Sequence, residues 1–305
     1  MASQINTPDG VLIINKHAGV TSHNIVGMVR RLYGTRAVGH AGTLDPMATG
    51  VLVVLIGRAA KASEYLTGED KRYVARLRLG LTTDTEDTTG NTLTTSDALP
   101  SSEAVTAAME HFRGNILQVP PMVSALKVGG HKLVDLARQG IEIERAARPV
   151  TIHSLSCEPT DTATDYTLDV TCSGGTYIRT LCADIGAALG CGGAMAALDR
   201  RAACDFTIEQ SVTIAELEQM SPDERLARLI PTEQLFARLT PVTLPTFYDR
   251  LIGNGCAVAL TKLRLSLPLG TRVRLCHTSG TFFALGEVVE SDGGLALKAI
   301  KTFVL

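Results

Sequence analysis

The chain has 305 residues, 45% of them hydrophobic, and a formal net charge of −2; this suggests a large domain plus a small one around a sizeable core. No apolar run is as long as a membrane span, and the opening MASQINTPDG lacks the basic and apolar regions of a signal peptide, so a soluble, cytoplasmic protein is expected. Seven cysteines without C-x-x-C spacing, and seven scattered histidines without H-E-x-x-H, argue for reduced thiols and against a metal site.

In chain order, VLII (11–14) reads as a short strand followed by Lys16 and the turn HAGVTS. Thr21 or Ser22 can cap a helix whose apolar positions Ile25, Val29 and Leu32 recur at helical spacing, with Gly34 ending it. Residues 39–50, GHAGTLDPMATG, form a loop shaped by three glycines and Pro46, and VLVVLI (51–56) reads as a buried strand. Asp45 is the only acid between Lys16 and Arg58. Its isolation invites a functional reading, but Asp-Pro also starts an ordinary turn, and the residues alone allow both.

A helix is expected at about 58–67. The strand RYVARLRL (72–79) has Tyr73, Ala75, Leu77 and Leu79 on one face and Arg76 and Arg78 on the other. Residues 82–91 read as an exposed loop, and 102–113 as a helix stopped by Gly114. Charge is segregated: residues 16–78 hold ten Lys or Arg against four acids, whereas 84–110 hold six acids and neither base. A polyanion responds to such a local basic face, although an ordinary solvated surface can segregate in the same way. Residues 118–150 mix a Pro-Pro turn, a Gly-Gly turn and a helix at about 131–139 with Lys127, Lys132, Arg138, Arg145 and Arg148, which suggests a projecting basic subdomain.

Residues 164–172 alternate, with Tyr166, Leu168, Val170 and Cys172 inward and Asp165, Thr167, Asp169 and Thr171 outward. The turn SGGTY then leads into a helix over about 177–189 that Gly190 ends. Arg179 lies in its first turn, the unfavourable end for a cation, so if buried it requires a carboxylate or phosphate partner. Residues 208–245, with four prolines, look like a helical connector, and 271–276, 281–289 and 294–300 look like strands of a small β-barrel.

The ordered blocks INKHAGVTSH (14–23), GHAGTLDPMATG (39–50), KRY (71–73) with RLGLTTDTED (78–87), VPPMVSALKVGGHKLVDLARQG (119–140), CSGGTYIRTL (172–181) and LDRRAACDF (198–206) closely resemble the TruB family of tRNA pseudouridine synthases. The resemblance implies an α+β fold: a catalytic domain at 8–235, with a mixed, largely antiparallel central sheet flanked by helices, and a PUA-like RNA-binding β-barrel at 240–305. Residues 119–149 correspond to the segment that folds onto the RNA.

The implied activity is isomerisation of uridine-55 in the T-loop of tRNA to pseudouridine. Asp45 matches the catalytic aspartate, Tyr73 the tyrosine that stacks on the flipped base and Arg179 the arginine paired with the aspartate. His40 matches the histidine that displaces the uridine, Leu198 an apolar wall of the base pocket and Lys16 a basic residue near the cleft. Asp87, Lys127, Tyr177 and Arg200, in the matching blocks, are further substrate-binding candidates. The reaction moves no electrons in or out, so no cofactor or metal is expected; the partner is the tRNA T-arm, with a monomer and no obligate protein partner. Two other readings are a guide-RNA-dependent synthase subunit and a tRNA folding factor with dispensable catalysis. Two departures stand out: Asp199 where the family usually has Arg, which needs Arg200 or Arg201 to neutralise it, and Cys204 where it usually has Gly.

Overall fold

Strand alternation and one long mixed sheet organise the computed structural model, which describes residues 8–304. Nine strands form that sheet, and its main path runs Gly10–Lys16, Thr49–Ile56, Gly193–Ala203, Lys71–Leu79, Asp165–Cys172, Arg148–Pro159 and Gly114–Gln118. Val38–Ala41 pairs outside this path with Thr49–Ile56, and Phe206–Thr207 with Gly193–Ala203. Pairing along the path is antiparallel except between Gly193–Ala203 and Thr49–Ile56. That parallel contact is short, Asp199 opposite Thr49 and Arg200 opposite Gly50. A Cβ at Gly50, where φ is 97°, would lie 2.3 Å from the Arg200 carbonyl oxygen, so glycine is what lets the two backbones meet.

The apolar faces read from the sequence are the buried ones. Tyr73, Ala75, Leu77 and Leu79 face the core with Leu168, Val170, Ile178, Leu181 and Ile185, the last three from the helix Ile178–Ala188. The first helix spans Ser22–Tyr33; Thr21 caps it, and Gly34 closes it in the left-handed conformation.

Five expectations change in detail. The helix at 58–67 is a 3-10 segment, Gly57–Ala62, followed by one α-turn, Ser63–Leu66. The helix at 102–113 is α over Ser102–Ala108 and 3-10 over Met109–Phe112, and the one at 131–139 shortens to Leu133–Ala137 after a hairpin pairing Lys127 with Lys132. Asp165, expected outward, is buried: Arg78 lies directly across the ladder and holds it through two hydrogen bonds of 2.8 Å. Those bonds keep its carboxyl below the usual carboxylate range. The 82–91 segment, expected to be exposed, has Thr83 and Asp87 buried.

A second, curled sheet of five strands, Pro241–Thr243, Arg272–Cys276, Phe282–Ser291, Gly294–Thr302 and Val258–Ala259 in that order, forms the PUA-like half-barrel. Phe236, Phe282 and Phe303 pack together and join Val11, Ile13, Val53 and Leu55 in one apolar cluster. The half-barrel is thus seated on the face of the large sheet opposite the helices Ser22–Tyr33 and Ile178–Ala188.

Candidate active site

The loop carrying Asp45 is held from several directions at once. Ser22, at the start of the first helix, exchanges hydrogen bonds with Leu44: its hydroxyl donates to the Leu44 carbonyl (3.1 Å) and accepts from the Leu44 N–H (2.9 Å). The Gly19 N–H donates to the Pro46 carbonyl at 2.8 Å. Lys16 is fully buried, and its ammonium donates to the carbonyls of His17, Val20 and Pro46 at 3.0, 2.8 and 3.2 Å. Arg200, 1% exposed, donates to the carbonyls of Val51, Thr43 and Gly42 at 2.7, 3.3 and 3.1 Å. Both cations therefore bond backbone oxygens of the loop, Pro46 for Lys16 and Thr43 and Gly42 for Arg200, and tie them to the neighbouring turn and strand.

Two predictions follow from these braces. Arg200→Lys keeps the charge but cannot reach three carbonyls with one fork. It is expected to lower unfolding free energy by about 2–4 kcal/mol, since each charged hydrogen bond contributes about 1.5–3 kcal/mol; a urea melt checks this. Burial lowers the Lys16 pKa from its ordinary 10.5 to about 8, with Asp45 opposing the shift and Arg200 adding to it. The folded pKa lies below the unfolded one, so between pH 8 and 10.5 the unfolded chain binds more protons. Stability contributed by this site therefore rises with pH across that window. Unfolding melts of wild type and Lys16→Met should show the wild type gaining relative to the variant as pH is raised through that range.

Above the loop, Asp45, Tyr73, Tyr177, Arg179, Leu198 and Arg200 line one cavity of about 250 Å³. The Asp45 carboxylate, about one-third exposed, meets the Nε of the buried Arg179 at 2.9 Å and its Nη2 at 3.5 Å. Here is the anion that an arginine in a first helical turn requires. The same guanidinium donates to the carbonyls of Thr85 (3.0 Å) and Val123 (2.7 Å), so its orientation is fixed and the carboxylate's with it. Tyr73 is 7% exposed, and burial raises its phenol pKa against the opposing Arg200 charge, so the ring stays neutral.

The other candidates are placed differently. Asp87 lies behind Arg179, at 4.0 Å from its Nε, and accepts from the Thr89 N–H, the Thr89 hydroxyl and the Thr85 hydroxyl at 2.9, 2.5 and 3.0 Å. It is a second anion for the arginine and does not line the cavity. His40 sits on Val38–Ala41 opposite Val54, outside the cavity wall. Its Nδ1 is buried without a partner, and burial, then Arg200 and His23, lower its pKa, so it is a neutral imidazole. Lys127 is exposed on the 127–132 hairpin.

Two residues that shape the site, Lys71 in its wall and Gln118 behind Tyr177, were not singled out from the sequence. Gln118 clamps the Tyr177 backbone, accepting from its N–H at 2.8 Å and donating to its carbonyl at 3.0 Å. Lys71 is buried against the cavity with its pKa lowered, mainly by burial, and donates to the carbonyls of Thr67 and Glu69 at 3.4 and 2.6 Å. Both stand at the edges of matching blocks, which was the available signal. Of the departures, Asp199 is neutralised by Arg201 at 3.0 Å, and Arg200 is occupied elsewhere. Cys204 adopts φ of 54°, a left-handed angle that explains a preference for glycine there. Among the described residues, no group of three or more His, Cys, Asp or Glu is placed to hold a metal ion, and no helix is long and apolar enough to cross a membrane.

A carboxylate fixed by an arginine at the mouth of a cavity with aromatic and aliphatic walls suits chemistry at a sugar carbon that carries a flat base. Comparison with known proteins agrees with that chemistry. Residues 30–178 match the model for the N-terminal domain of TruB family pseudouridylate synthases, and residues 179–243 match that for the tRNA pseudouridylate synthase B C-terminal domain. The chain is 47% identical over 289 residues to the tRNA pseudouridine synthase B of Dechloromonas aromatica, covering 94% of this chain and 93% of the relative. It is 43% identical over 287 residues to that of Alkaliphilus oremlandii, covering 93% and 94%. A solved Cbf5-Nop10-Gar1 complex contains a chain of similar fold, with a TM-score of 0.73 at 23% identity over 98% of this chain and 86% of that one. With the two family models matched in succession over residues 30–243, and relatives aligned over nearly their whole length, the chain belongs to the TruB family of pseudouridylate synthases.

Proposed function

We propose that this pseudouridylate synthase isomerises uridine-55 in the T-loop of tRNA, with Asp45 as the catalytic carboxylate. The observation that carries the reading is the Asp45–Arg179 pair, 2.9 Å apart, in the wall of a cavity that also contains Tyr73 and Leu198. Support for the RNA comes from the relatives, each named a tRNA pseudouridine synthase B.

In the reaction the N1–C1′ bond breaks and its electron pair remains on the uracil. The base turns, C5 bonds to C1′, C5 loses its proton and N1 gains one, so product and substrate have the same formula. Asp45 either attacks C1′ or takes the C2′ proton, and both roles need an ionised, fixed carboxylate. Arg179 supplies the fixing. Tyr73 offers a ring face on which the extracted base stacks, and Leu198 closes the opposite side. His40, neutral and on the strand Val38–Ala41 that leads into the Asp45 loop, fills the place the base leaves in the T-loop, which offsets an unstacking cost of a few kcal/mol.

The test is a T-arm hairpin carrying a C5-tritiated uridine at position 55, incubated with the protein alone. Release of tritium to water, and none from a hairpin labelled only at other uridines, is the expected result. A hairpin that keeps its tritium would overturn the proposal.

A further inference from the structure

The cavity holds a polar group that none of these roles uses. Ser124 is 6% exposed, lines the same wall as Asp45, and its hydroxyl oxygen is buried without a hydrogen-bond partner. Its backbone is fixed on both sides: the N–H donates to the Met122 carbonyl, and the carbonyl accepts from the Val134 N–H, both at 3.0 Å. Its neighbour Val123 receives the Arg179 bond. The cations around it are already engaged, Arg179 with Asp45, Thr85 and Val123, Arg200 with the carbonyls of its loop, and Lys71 with Thr67 and Glu69. A buried hydroxyl without a partner lowers the stability of the free protein and is accounted for when a ligand supplies the missing acceptor.

We propose that Ser124 touches the target base, donating its hydroxyl hydrogen bond to a uracil carbonyl oxygen. The assignment rests on the isomerase reading above. The chemistry of uracil makes one fixed donor useful throughout. A half-turn about the N3–C6 line exchanges N1 with C5 and O2 with O4. A donor aimed at one carbonyl before the turn therefore meets the other after it. Once N1–C1′ breaks, the electron pair left on the ring spreads onto O2 and O4. The bond from Ser124 is strongest at that point, so its effect falls on the rate of the bound complex and not on binding. Because Ser124 lies in the 119–149 segment, the part of the chain expected to grip RNA also completes the base site.

The experiment compares wild type and Ser124→Ala on the uridine-55 T-arm hairpin under single-turnover conditions, with thermal melts of the free proteins. The variant should react about 10- to 100-fold more slowly, below the full loss seen for a principal oxyanion donor. Its RNA affinity should stay within about twofold, and its melting temperature should be equal or higher, because the deleted group has no partner in the free protein. Hairpins with 2-thiouridine or 4-thiouridine at position 55 supply the second readout, since sulfur is a poor acceptor. At least one should slow the wild type without slowing Ser124→Ala further. Equal rates for the two proteins, a lowered melting temperature accompanying the slower rate, or thio effects of the same size in both would each overturn the contact. A wild type inactive on the uridine hairpin would instead overturn the isomerase reading, and the contact with it.

Discussion

Asp45→Asn is expected to lower the turnover of uridine-55 by about 10³-fold or more, equivalent to about 4 kcal/mol of lost transition-state stabilisation. The tRNA affinity should change little. The substitution is nearly isosteric, so the loop keeps its braces from Ser22, Gly19, Lys16 and Arg200, none of which bonds the Asp45 side chain. What is removed is the negative charge, and with it the capacity to attack C1′ or to take the C2′ proton. Arg179 does not become an uncompensated buried charge, because the Thr85 and Val123 carbonyls still accept from it and Asp87 stands at 4.0 Å. The Asp45 carboxylate is also about one-third exposed, so loss of the ion pair costs little stability in a solvent-screened setting. Activity and folding should therefore separate cleanly: a near-complete loss of rate with an unfolding midpoint close to wild type. Equal modification by both proteins would remove Asp45 from the chemistry.

Arg179→Ala should affect both properties. The side chain is 5% exposed and joins three parts of the chain: the Asp45 loop, the 82–91 segment through Thr85 and the base of the 119–149 segment through Val123. Deleting it leaves Asp87 buried without its nearest cation and two carbonyls without this donor. The expected cost is about 3 kcal/mol of stability, the range for breaking a buried pair. The rate should fall about 10²- to 10³-fold because the carboxylate is present but no longer oriented. Binding of tRNA should be largely retained, since a guanidinium this buried is not within reach of a phosphate. A collapse of affinity would instead make Arg179 an RNA contact. Arg179→Lys should restore the charge but only part of the rate, because one ammonium cannot serve a carboxylate and two carbonyls in fixed directions.

The sequence carried the fold wherever a periodic apolar face was at stake. The alternation in 72–79 and 164–172, and the capped helix over Ser22–Tyr33, are local patterns, and apart from Asp165 the local pattern decided them. It also flagged Asp45 by isolation and Arg179 by its place at the wrong end of a helix, and the structure sets these two side by side. What was not legible is the backing of the site. Lys16 reaches Pro46, thirty positions away, and Arg200 reaches Thr43 and Gly42 from the neighbouring strand, across 157 and 158 positions of sequence. Both bond backbone carbonyls, which have no residue type and leave no motif. Their matching blocks suggested contacts with the substrate; the hydrogen bonds they make in the structure brace the loop that carries the carboxylate. The burial of Asp87, a candidate from its matching block, was hidden by its polar, turn-rich neighbours, which read as an exposed loop. Asp165 was misread as outward because alternation ignores the partner across the ladder, and there Arg78 covers it.

The most direct measurement maps every pseudouridine at single-nucleotide resolution in a full-length unmodified tRNA transcript, incubated with wild-type protein and in parallel with Asp45→Asn. No guide RNA or other protein is added. A single modified position, uridine-55, in the wild-type reaction and none in the Asp45→Asn reaction is the expected result. An unmodified position 55 with wild type, or conversion that survives loss of the Asp45 charge, would contradict it.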